Sequence, residues 1–181
     1  NSMKKLPAQF SDWFATRGWS IHDHQQQMLD KADATALLLI APTGGGKTLA
    51  GFLPSLIDLA ASPRQGLHTI YISPLKALAA NIKRNLSTPV TEMDLPVRIE
   101  DRTGDTPSSR KRRQRADPPH ILLTTPESLA LLISYEDAPR IFAGLQRIVI
   151  DEIHALASSF PPAVPPCGRW EVVVGVRTSH D

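Results

Sequence analysis

The chain has 181 residues, of which 41% are hydrophobic and 21% charged; this composition fits one ordinary folded domain and excludes an intrinsically disordered protein. The formal net charge is only +2, so any anion-binding surface must come from local clusters. The single cysteine excludes a disulfide framework within one chain, and the sequence contains neither an apolar run of membrane-spanning length nor a signal-peptide core. We therefore expect a cytoplasmic protein with no membrane partner.

Two helices are predicted ahead of the first strand. The segment Pro7–Gly18 places its aromatic side chains on one helical face, between a proline near the start and a glycine at the end. The segment Asp23–Ala32 is predicted to form a second helix, with its aspartate as the cap.

Beyond these helices, short apolar runs alternate with helical patterns. The predicted strands are Ala36–Ala41, His68–Ser73, Val97–Asp101, His120–Thr125 and Arg147–Glu152, and the predicted helices are Lys47–Ala61, Leu75–Leu86, Ser108–Ala116 and Glu127–Ser134. Several of the runs are apolar throughout, which is typical of a parallel sheet covered on both faces. This order predicts a doubly wound α/β domain with right-handed crossovers, in which ligands gather at the carboxyl ends of the strands.

The first strand leads into the sequence Ala-Pro-Thr-Gly-Gly-Gly-Lys-Thr, which fits a phosphate loop with Ala41 where the strict pattern has glycine. Glycines allow a tight turn that brings backbone N–H groups close to phosphate oxygens, and the following helix adds the positive end of its dipole. Lys47 supplies a charge for the β- and γ-phosphates, and Thr48 a hydroxyl for Mg²⁺. A flexible glycine turn is the alternative interpretation. The residues predicted to bind nucleotide here are Thr43, Gly44, Gly45, Gly46, Lys47 and Thr48.

Two adjacent carboxylates, Asp151 and Glu152, stand at the end of another apolar strand. Adjacent side chains on an extended segment point in different directions, so one can serve the metal while the other faces the attacking water. We assign Asp151 to Mg²⁺ and Glu152 to orienting or deprotonating the nucleophile. A surface Asp-Glu pair is the alternative, and His154 taken alone fits a hydrogen-bonded structural histidine.

These segments resemble a known family. Asp151 to His154 resembles the DExH box, and Ala41 to Thr48 resembles motif I, of superfamily 2 helicases. Segments similar to motif Ia and to two further nucleic-acid-contacting motifs occur in the expected order, at Ser73–Leu78, Arg102–Thr106 and Thr124–Leu129. Together "SPLKAL", "RTGDTP", "TTPESLALLI" and "DEIHAL" resemble the Lhr (large helicase-related) family.

The resemblance implies a RecA-like P-loop NTPase domain, the first motor domain of a DNA helicase, with ATP and Mg²⁺ as cofactors. It implies 3′-to-5′ translocation on single-stranded DNA, unwinding of a duplex or a DNA–RNA hybrid, and a link to DNA repair. His154 is then assigned to coupling. Gln25 matches the glutamine that reads adenine. Because residues 22–24 depart from the family pattern, Gln26 and Gln27 stay open as alternatives. A solvated helix face is the alternative role for these glutamines.

Small polar residues follow three predicted strands and suit a backbone-tracking contact with phosphates. By the resemblance, the nucleic-acid residues are Ser73, Pro74, Lys76, Arg102, Thr103, Gly104, Thr124, Thr125 and Pro126. Taken one at a time, each of these residues could instead serve as a helix cap or a turn residue. The basic run Ser108–Arg115 is a further candidate for phosphate contact, with a solvated helix as its alternative.

The sequence divides into four parts: residues 1–3, interpreted as a cloning remnant; residues 4–34, the N-terminal helices; residues 35–159, the RecA-like domain; and residues 160–181, an atypical proline-rich tail. Within that tail, Glu171–Val176 could form a strand. We expect the chain to lack the second RecA-like domain and the Ser-Ala-Thr motif III. The isolated chain is therefore expected to be weakly active or inactive.

Two alternatives to a helicase motor stay open on the sequence. One is a P-loop enzyme of another class, such as a small-molecule kinase, but it leaves the strand-end motifs unexplained. The other is a non-catalytic remnant that binds nucleotide or nucleic acid. The nucleic acid itself could be single-stranded DNA, RNA or a hybrid.

Overall fold

The computed structural model describes residues 4–21, 23–30, 36–41, 47–151 and 171–177. The helices in these ranges are α1 (Ala8–Thr16), α2 (Asp23–Asp30), α3 (Lys47–Ala61), α4 (Lys76–Glu92), α5 (Ser108–Ala116), α6 (Pro126–Ser134) and α7 (Ala138–Phe142). The strands are β1 (Ala36–Ala41), β2 (Thr69–Ile72), β3 (Ile99–Arg102), β4 (Ile121–Thr124), β5 (Arg147–Asp151) and β6 (Glu171–Arg177).

The strands form one sheet in the order β1-β6-β5-β2-β4-β3, and every pairing is parallel. This confirms the predicted parallel α/β fold. Because all strands run the same way, their carboxyl ends share one edge of the sheet. β6 alone separates β1 from β5, the two strands that the phosphate loop and the carboxylate pair follow.

Both faces of the sheet carry a hydrophobic core, as the apolar strands predict. In β2, Tyr71 packs into the core that α1, α2, α3 and α4 cover. Ile70 and Ile72 point the other way, into the core formed with α6 and α7. The side chains of β4 alternate in the same manner: Leu123 packs in the first core and Leu122 packs in the second.

Helix α4 differs most from its predicted extent, whereas the ends of α1, α2 and α6 lie within two residues of the prediction. α4 continues six residues past the predicted end at Leu86 and includes Pro89 near its last turn. The helix continues because Leu86, Val90 and Met93 all pack on the first core, which outweighs the lost N–H of one proline. The short helix α7 is absent from the prediction. No helix in the described part of the chain has the length and apolar character needed to cross a bilayer.

The segment that the sequence analysis set apart as a tail contributes a strand to the middle of the sheet. Val172 pairs with Ala36 of β1 on one side and with Ile148 of β5 on the other. A run of β-branched residues suits such a two-sided position, and it begins after the last proline of the tail. The remaining residues, 160–170 and 178–181, lie outside the described ranges.

The N-terminal helix α1 is fastened to the end of α4. Trp13 Nε1 donates to Glu92 Oε2 at 2.6 Å, and Arg17 binds both oxygens of the same carboxylate. Gln9 Nε2 donates to the Met93 carbonyl at 2.6 Å. The aromatic side chains of α1 lie in the first core, so this helix is packed onto the sheet domain.

A polar network lies at the amino-terminal edge of the sheet. His68 is 3% exposed, with Nδ1 2.7 Å from Thr69 Oγ1 and Nε2 3.7 Å from Asp58 Oδ2. Arg147 Nη1 donates to both Asp58 Oδ2 and Ser55 Oγ at 3.3 Å. Burial lowers the pKa of His68, even though Asp58 favours the charged imidazole. The folded protein therefore holds His68 neutral at pH 7.

His68 makes the stability of the protein depend on pH. In the unfolded chain its pKa is about 6.5, so below that pH the unfolded state binds more protons than the folded state. We expect the free energy of unfolding to fall as the pH drops from 7.5 through about 6.5 to about 5, and the His68→Asn variant to show a flatter profile. Asp58, whose pKa is also lowered, loses its contribution only at more acidic pH. Urea unfolding across this range is the measurement, and parallel profiles for the two proteins would contradict the assignment.

Candidate functional site

The structure brings the start of α3 and the end of β5 to the same edge of the sheet. Asp151 is level with Gly175 of β6, and Gly175 is level with Leu39 of β1. Neighbouring strands lie about 4.8 Å apart, so β1 and β5 run about 10 Å apart with β6 between them. Residues 42–46 connect the end of β1 to Lys47, the first residue of α3.

Contacts with β5 and β2 hold α3 against one face of the sheet. A Cβ atom built on Gly51 would lie 3.5 Å from Val149 Cγ1, and Val149 precedes Asp151 by two residues. Phe52 is 1% exposed, and its ring centroid is 5.7 Å from that of Tyr71. Because Gly51 lies one helical turn beyond Lys47, these contacts hold the amino end of α3 near the carboxyl end of β5.

Several predicted site residues lie outside the described residues. These are Thr43, Gly44, Gly45 and Gly46 of the phosphate loop, together with Glu152 and His154. For Lys47, Thr48 and Asp151 the structure describes the backbone alone. The structure thus gives the arrangement of the two strand ends and the helix, and the side-chain roles stay predictions.

The three candidate glutamines have different surroundings. Gln25 is 2% exposed on α2, which packs against α3. Gln26 Nε2 donates to the Lys4 carbonyl at 2.7 Å and to Asp30 Oδ1 at 2.9 Å, so its amide serves the N-terminal segment. The side chain of Gln27 is outside the description. Of the two described side chains, Gln25 is the buried one, and its helix packs against the phosphate-loop helix.

The three predicted nucleic-acid segments follow three adjacent strands. Ile72, Thr124 and Arg102 are register partners at the ends of β2, β4 and β3. The loops that leave these strands therefore start side by side at the carboxyl edge. Lys76 Nζ lies 3.4 Å from both carboxylate oxygens of Asp105, so the first residue of α4, which follows the β2 loop, contacts the loop after β3.

Most of the hydroxyls in these loops also have local partners. Ser73 Oγ accepts from the Leu75 N–H at 3.2 Å, and Thr125 Oγ1 caps α6 by accepting from the Ser128 N–H at 3.3 Å. Thr124 Oγ1 donates to the Arg102 carbonyl at 2.7 Å. The turn and capping roles that the sequence left open are thus present. Pro126 is the first residue of α6 and is buried, whereas Gly104 is exposed.

The comparisons with known proteins agree with this arrangement. A family profile described as "DEAD/DEAH box helicase" matches residues 22–167. The chain belongs to the DEAD/DEAH box helicase family. That match runs from the residue before α2 to a point beyond the strand that carries Asp151, so it includes both candidate nucleotide segments.

Within the DEAD/DEAH box helicases, the chain is similar to Lhr proteins. It is 43% identical over 135 residues to "Lhr helicase/ probable uracil glycosylase" of Mycolicibacterium smegmatis, covering 67% of this chain and 9% of that protein. It is 37% identical over 180 residues to "Lhr helicase/uracil glycosylase" of Escherichia coli, covering 85% of this chain and 12% of that protein. The chain therefore spans a small fraction of the length of these relatives.

Solved structures of helicases have the same fold. The structure of Mycobacterium smegmatis helicase Lhr bound to ssDNA and AMP-PNP is 33% identical in sequence and matches with a TM-score of 0.77, covering 93% of this chain and 24% of that one. The helicase MrfA, 22% identical with a TM-score of 0.80 over 96% of this chain, shares the fold. These matches confirm the predicted RecA-like helicase domain.

One predicted nucleic-acid residue of this DEAD/DEAH box helicase chain points inward. Arg102 is 2% exposed, and its Nη1 donates to the Lys111 carbonyl at 3.0 Å and to Gln114 Oε1 at 3.2 Å. Burial lowers its pKa from the ordinary arginine value. Arg102 was predicted to contact nucleic acid, and Gln114 was not predicted as a site residue. The alternation in β3 is the signal that could have found it, because Glu100 and Arg102 share a face there.

The basic run on α5 separates into paired and unpaired residues. Arg113 forms an ion pair with Glu100, and Arg115 forms one with Asp137 while its guanidinium stacks 3.7 Å above the Tyr135 ring. By contrast, no ion pair within the described part of the chain involves the remaining cations, which are Arg110, Lys111 and Arg112. Part of the run is therefore structural, and the remainder is available to an external anion.

Proposed function

We propose that the chain is the ATP-binding first motor domain of an Lhr-like helicase that couples ATP hydrolysis to movement along single-stranded DNA. The observation that carries the proposal is the shared edge at which the phosphate-loop helix begins and the carboxylate strand ends. Three further loops leave the same edge beyond β2, β4 and β3. Nucleotide and nucleic acid would then bind along one side of the sheet, as expected for a parallel α/β fold.

The nucleotide would lie between the start of α3 and the end of β5. Backbone N–H groups of residues 43–48 and the Lys47 ammonium would hold the phosphates. The Thr48 hydroxyl and the Asp151 carboxylate are hard oxygen donors, the type that Mg²⁺ prefers, and they belong to segments that meet at this edge. Bound Mg²⁺ would neutralise phosphate charge, and Glu152 would orient the attacking water. The burial of Gln25 on α2, a helix that packs against α3, supports adenine recognition by that residue.

The nucleic acid would lie across the loops after β2, β3 and β4. Backbone N–H groups and small side chains of these loops would contact phosphates and leave the bases unread, as a translocating motor requires. Lys76 is exposed and would add charge. The single-stranded DNA in the related mycobacterial Lhr structure supports DNA as the partner. The residues proposed to form this surface are Ser73, Pro74, Lys76, Thr103, Gly104, Thr124, Thr125 and Pro126. Of these, Lys76 and Gly104 are exposed and are proposed for direct contact, whereas Ser73 and Thr124 are 0% exposed and would shape the loops.

A second RecA-like domain would complete the motor. In related NTPases an arginine opposite the γ-phosphate raises the rate by about 10³–10⁵, and we propose that another domain supplies it. His154 would then couple hydrolysis to movement of that domain. We also propose a cytoplasmic location.

The experiment that tests this function is ATP hydrolysis by the full-length protein with and without single-stranded DNA. Strong stimulation by DNA supports the motor. Stimulation by a small-molecule acceptor, with transfer of the phosphoryl group to it, would instead indicate a kinase. Tight nucleotide or DNA binding without any turnover would indicate a non-catalytic remnant. A single-stranded RNA of the same sequence provides the comparison for DNA preference.

The ion pairs on α5 predict different effects for neighbouring arginines. Arg112→Ala removes an exposed, unpaired charge, so we expect weaker DNA binding and a salt-dependence slope reduced by about 0.7 for one lost phosphate contact on a single strand. Arg113→Ala removes the partner of Glu100, so we expect little change in that slope. Fluorescence anisotropy titrations at several salt concentrations measure both. Equal slopes for Arg112→Ala and the parent would contradict the contact.

A further inference from the structure

A buried polar pair lies directly behind the loop that follows β3. Arg102, the last residue of β3, and Gln114, in the last turns of α5, are 2% and 3% exposed. Arg102 Nη1 donates to Gln114 Oε1 at 3.2 Å and to the Lys111 carbonyl at 3.0 Å. Both hydrogen bonds come from the same nitrogen, and the rigid plane of the guanidinium fixes the directions of its two N–H groups, which a freely rotating lysine ammonium does not.

Gln114 is itself held on both sides. Its Nε2 donates to the Asp101 carbonyl at 3.0 Å and to Glu100 Oε1 at 3.3 Å, while its Oε1 accepts from Arg102. The amide therefore joins α5 to three consecutive residues of β3. Both members of the pair are buried and hydrogen-bonded, so neither can rotate toward solvent without leaving buried polar groups unpaired.

The loop between β3 and α5 is short and is held by hydrogen bonds among its own residues. The Thr103 N–H donates to Thr106 Oγ1 at 2.9 Å, the Thr106 N–H to the Thr103 carbonyl at 3.2 Å, and the Asp105 N–H to Thr103 Oγ1 at 3.3 Å. Arg102 precedes this loop, and Lys111 lies within the first turns of the helix that follows it. The hydrogen bonds of Arg102 therefore fix the entrance of the loop relative to its exit.

We propose that Arg102 and Gln114 act as positioning residues that hold the loop Thr103–Thr106 in the shape that receives a phosphate, and that Arg102 itself does not touch the nucleic acid. The inference rests on the proposed function, because it requires this loop to bind single-stranded DNA. It also assigns a role to Gln114, an uncharged residue twelve positions along the chain from Arg102.

The test is binding of a fluorescent single-stranded oligonucleotide to the full-length protein over a series of salt concentrations. Arg102→Lys keeps the charge but lacks the planar guanidinium, and Gln114→Leu removes the acceptor without changing the charge. We expect each variant to bind about tenfold more weakly, the order of one lost hydrogen bond, with an unchanged salt slope. The double variant is expected to bind no more weakly than the weaker single variant, because both break one unit.

Controls separate positioning from unfolding. Binding of a fluorescent ATP analogue and the melting temperature report whether each variant is folded, and Arg102→Lys is the milder change. Asp117→Asn removes the ion pair to Arg98 just beyond the carboxyl end of α5, the end far from the loop Thr103–Thr106, and we expect it to leave DNA binding within about twofold.

Three results would overturn the inference. If Arg102→Lys binds like the parent while Arg102→Gln lowers the salt slope by about 0.7, Arg102 is a direct phosphate ligand. If folded Arg102→Lys and Gln114→Leu both bind like the parent, the pair has no positioning role, although the proposed function stands. If the parent itself neither binds single-stranded DNA nor is stimulated by it, the proposed function and this inference fail together.

Discussion

Replacing Lys47 by alanine is expected to lower DNA-stimulated ATP hydrolysis by the full-length protein by at least about 100-fold, the usual effect of removing one preorganised charge donor from a developing anion. Lys47 is the first residue of α3, and that helix is held by buried contacts at Phe52 and by close packing of Gly51 on β5. The mutation removes the ammonium without disturbing these contacts. The loss should therefore appear in turnover, with the fold unchanged.

The measurement is a coupled ATPase assay with saturating single-stranded DNA, accompanied by a thermal melt. Lys5→Ala is the matched control, because Lys5 is an exposed lysine ahead of α1 and lies far along the chain from the phosphate loop. It is expected to keep the parental rate. Parental turnover in Lys47→Ala would show that the glycine run is only a flexible turn.

Replacing Phe52 by alanine is expected to destabilise the protein by about 3–5 kcal/mol. Phe52 is 1% exposed and packs against Tyr71 with 5.7 Å between ring centroids. It links the phosphate-loop helix to β2, a central strand of the sheet. The cost combines the lost burial of the ring with the cavity that it leaves.

Urea unfolding followed by circular dichroism measures this loss. The control is Leu131→Ala, because Leu131 is 61% exposed on α6 and its truncation should change stability by less than about 0.5 kcal/mol. A similar small effect for both variants would mean that the α3 packing is looser than the structure shows. Where Phe52→Ala remains partly folded, nucleotide binding should weaken together with stability, because the start of α3 moves with the helix.

Local pattern predicted most of the secondary structure. The bounds of β1, α3 and α5 agree with the prediction because each has a sharp local signal, such as the glycine run ahead of α3 or the proline ahead of α5. α4 was predicted too short because a proline usually marks a helix end, whereas packing of Met93 and Val90 decides its true length. α7 has only five residues, too few for a periodic pattern.

The sequence predicted which segments form the candidate site. It did not predict the contacts between side chains within that site. Motif order indicated which strand ends carry the chemistry, and the parallel sheet confirms that these ends share an edge. The burial of Arg102 depends on Gln114, which is distant in sequence and has no chemical signature of its own. The pairing of Arg113 with Glu100 likewise depends on how α5 packs on β3, which charge counting cannot reveal.

The place of β6 in the sheet has a consequence for biosynthesis. Among the described strands, β1 hydrogen-bonds only to β6, whose first pairing joins Ala36 to Val172. During translation, β1 therefore emerges early and, among the described strands, gains its neighbour only after Val172 has been synthesised. Such long-range parallel pairings form slowly and leave strand edges exposed to aggregation. A ribosome stalled before Val172 would accordingly hold a nascent chain in which β1 still lacks its pairing with β6 and keeps both strand edges open among the described strands.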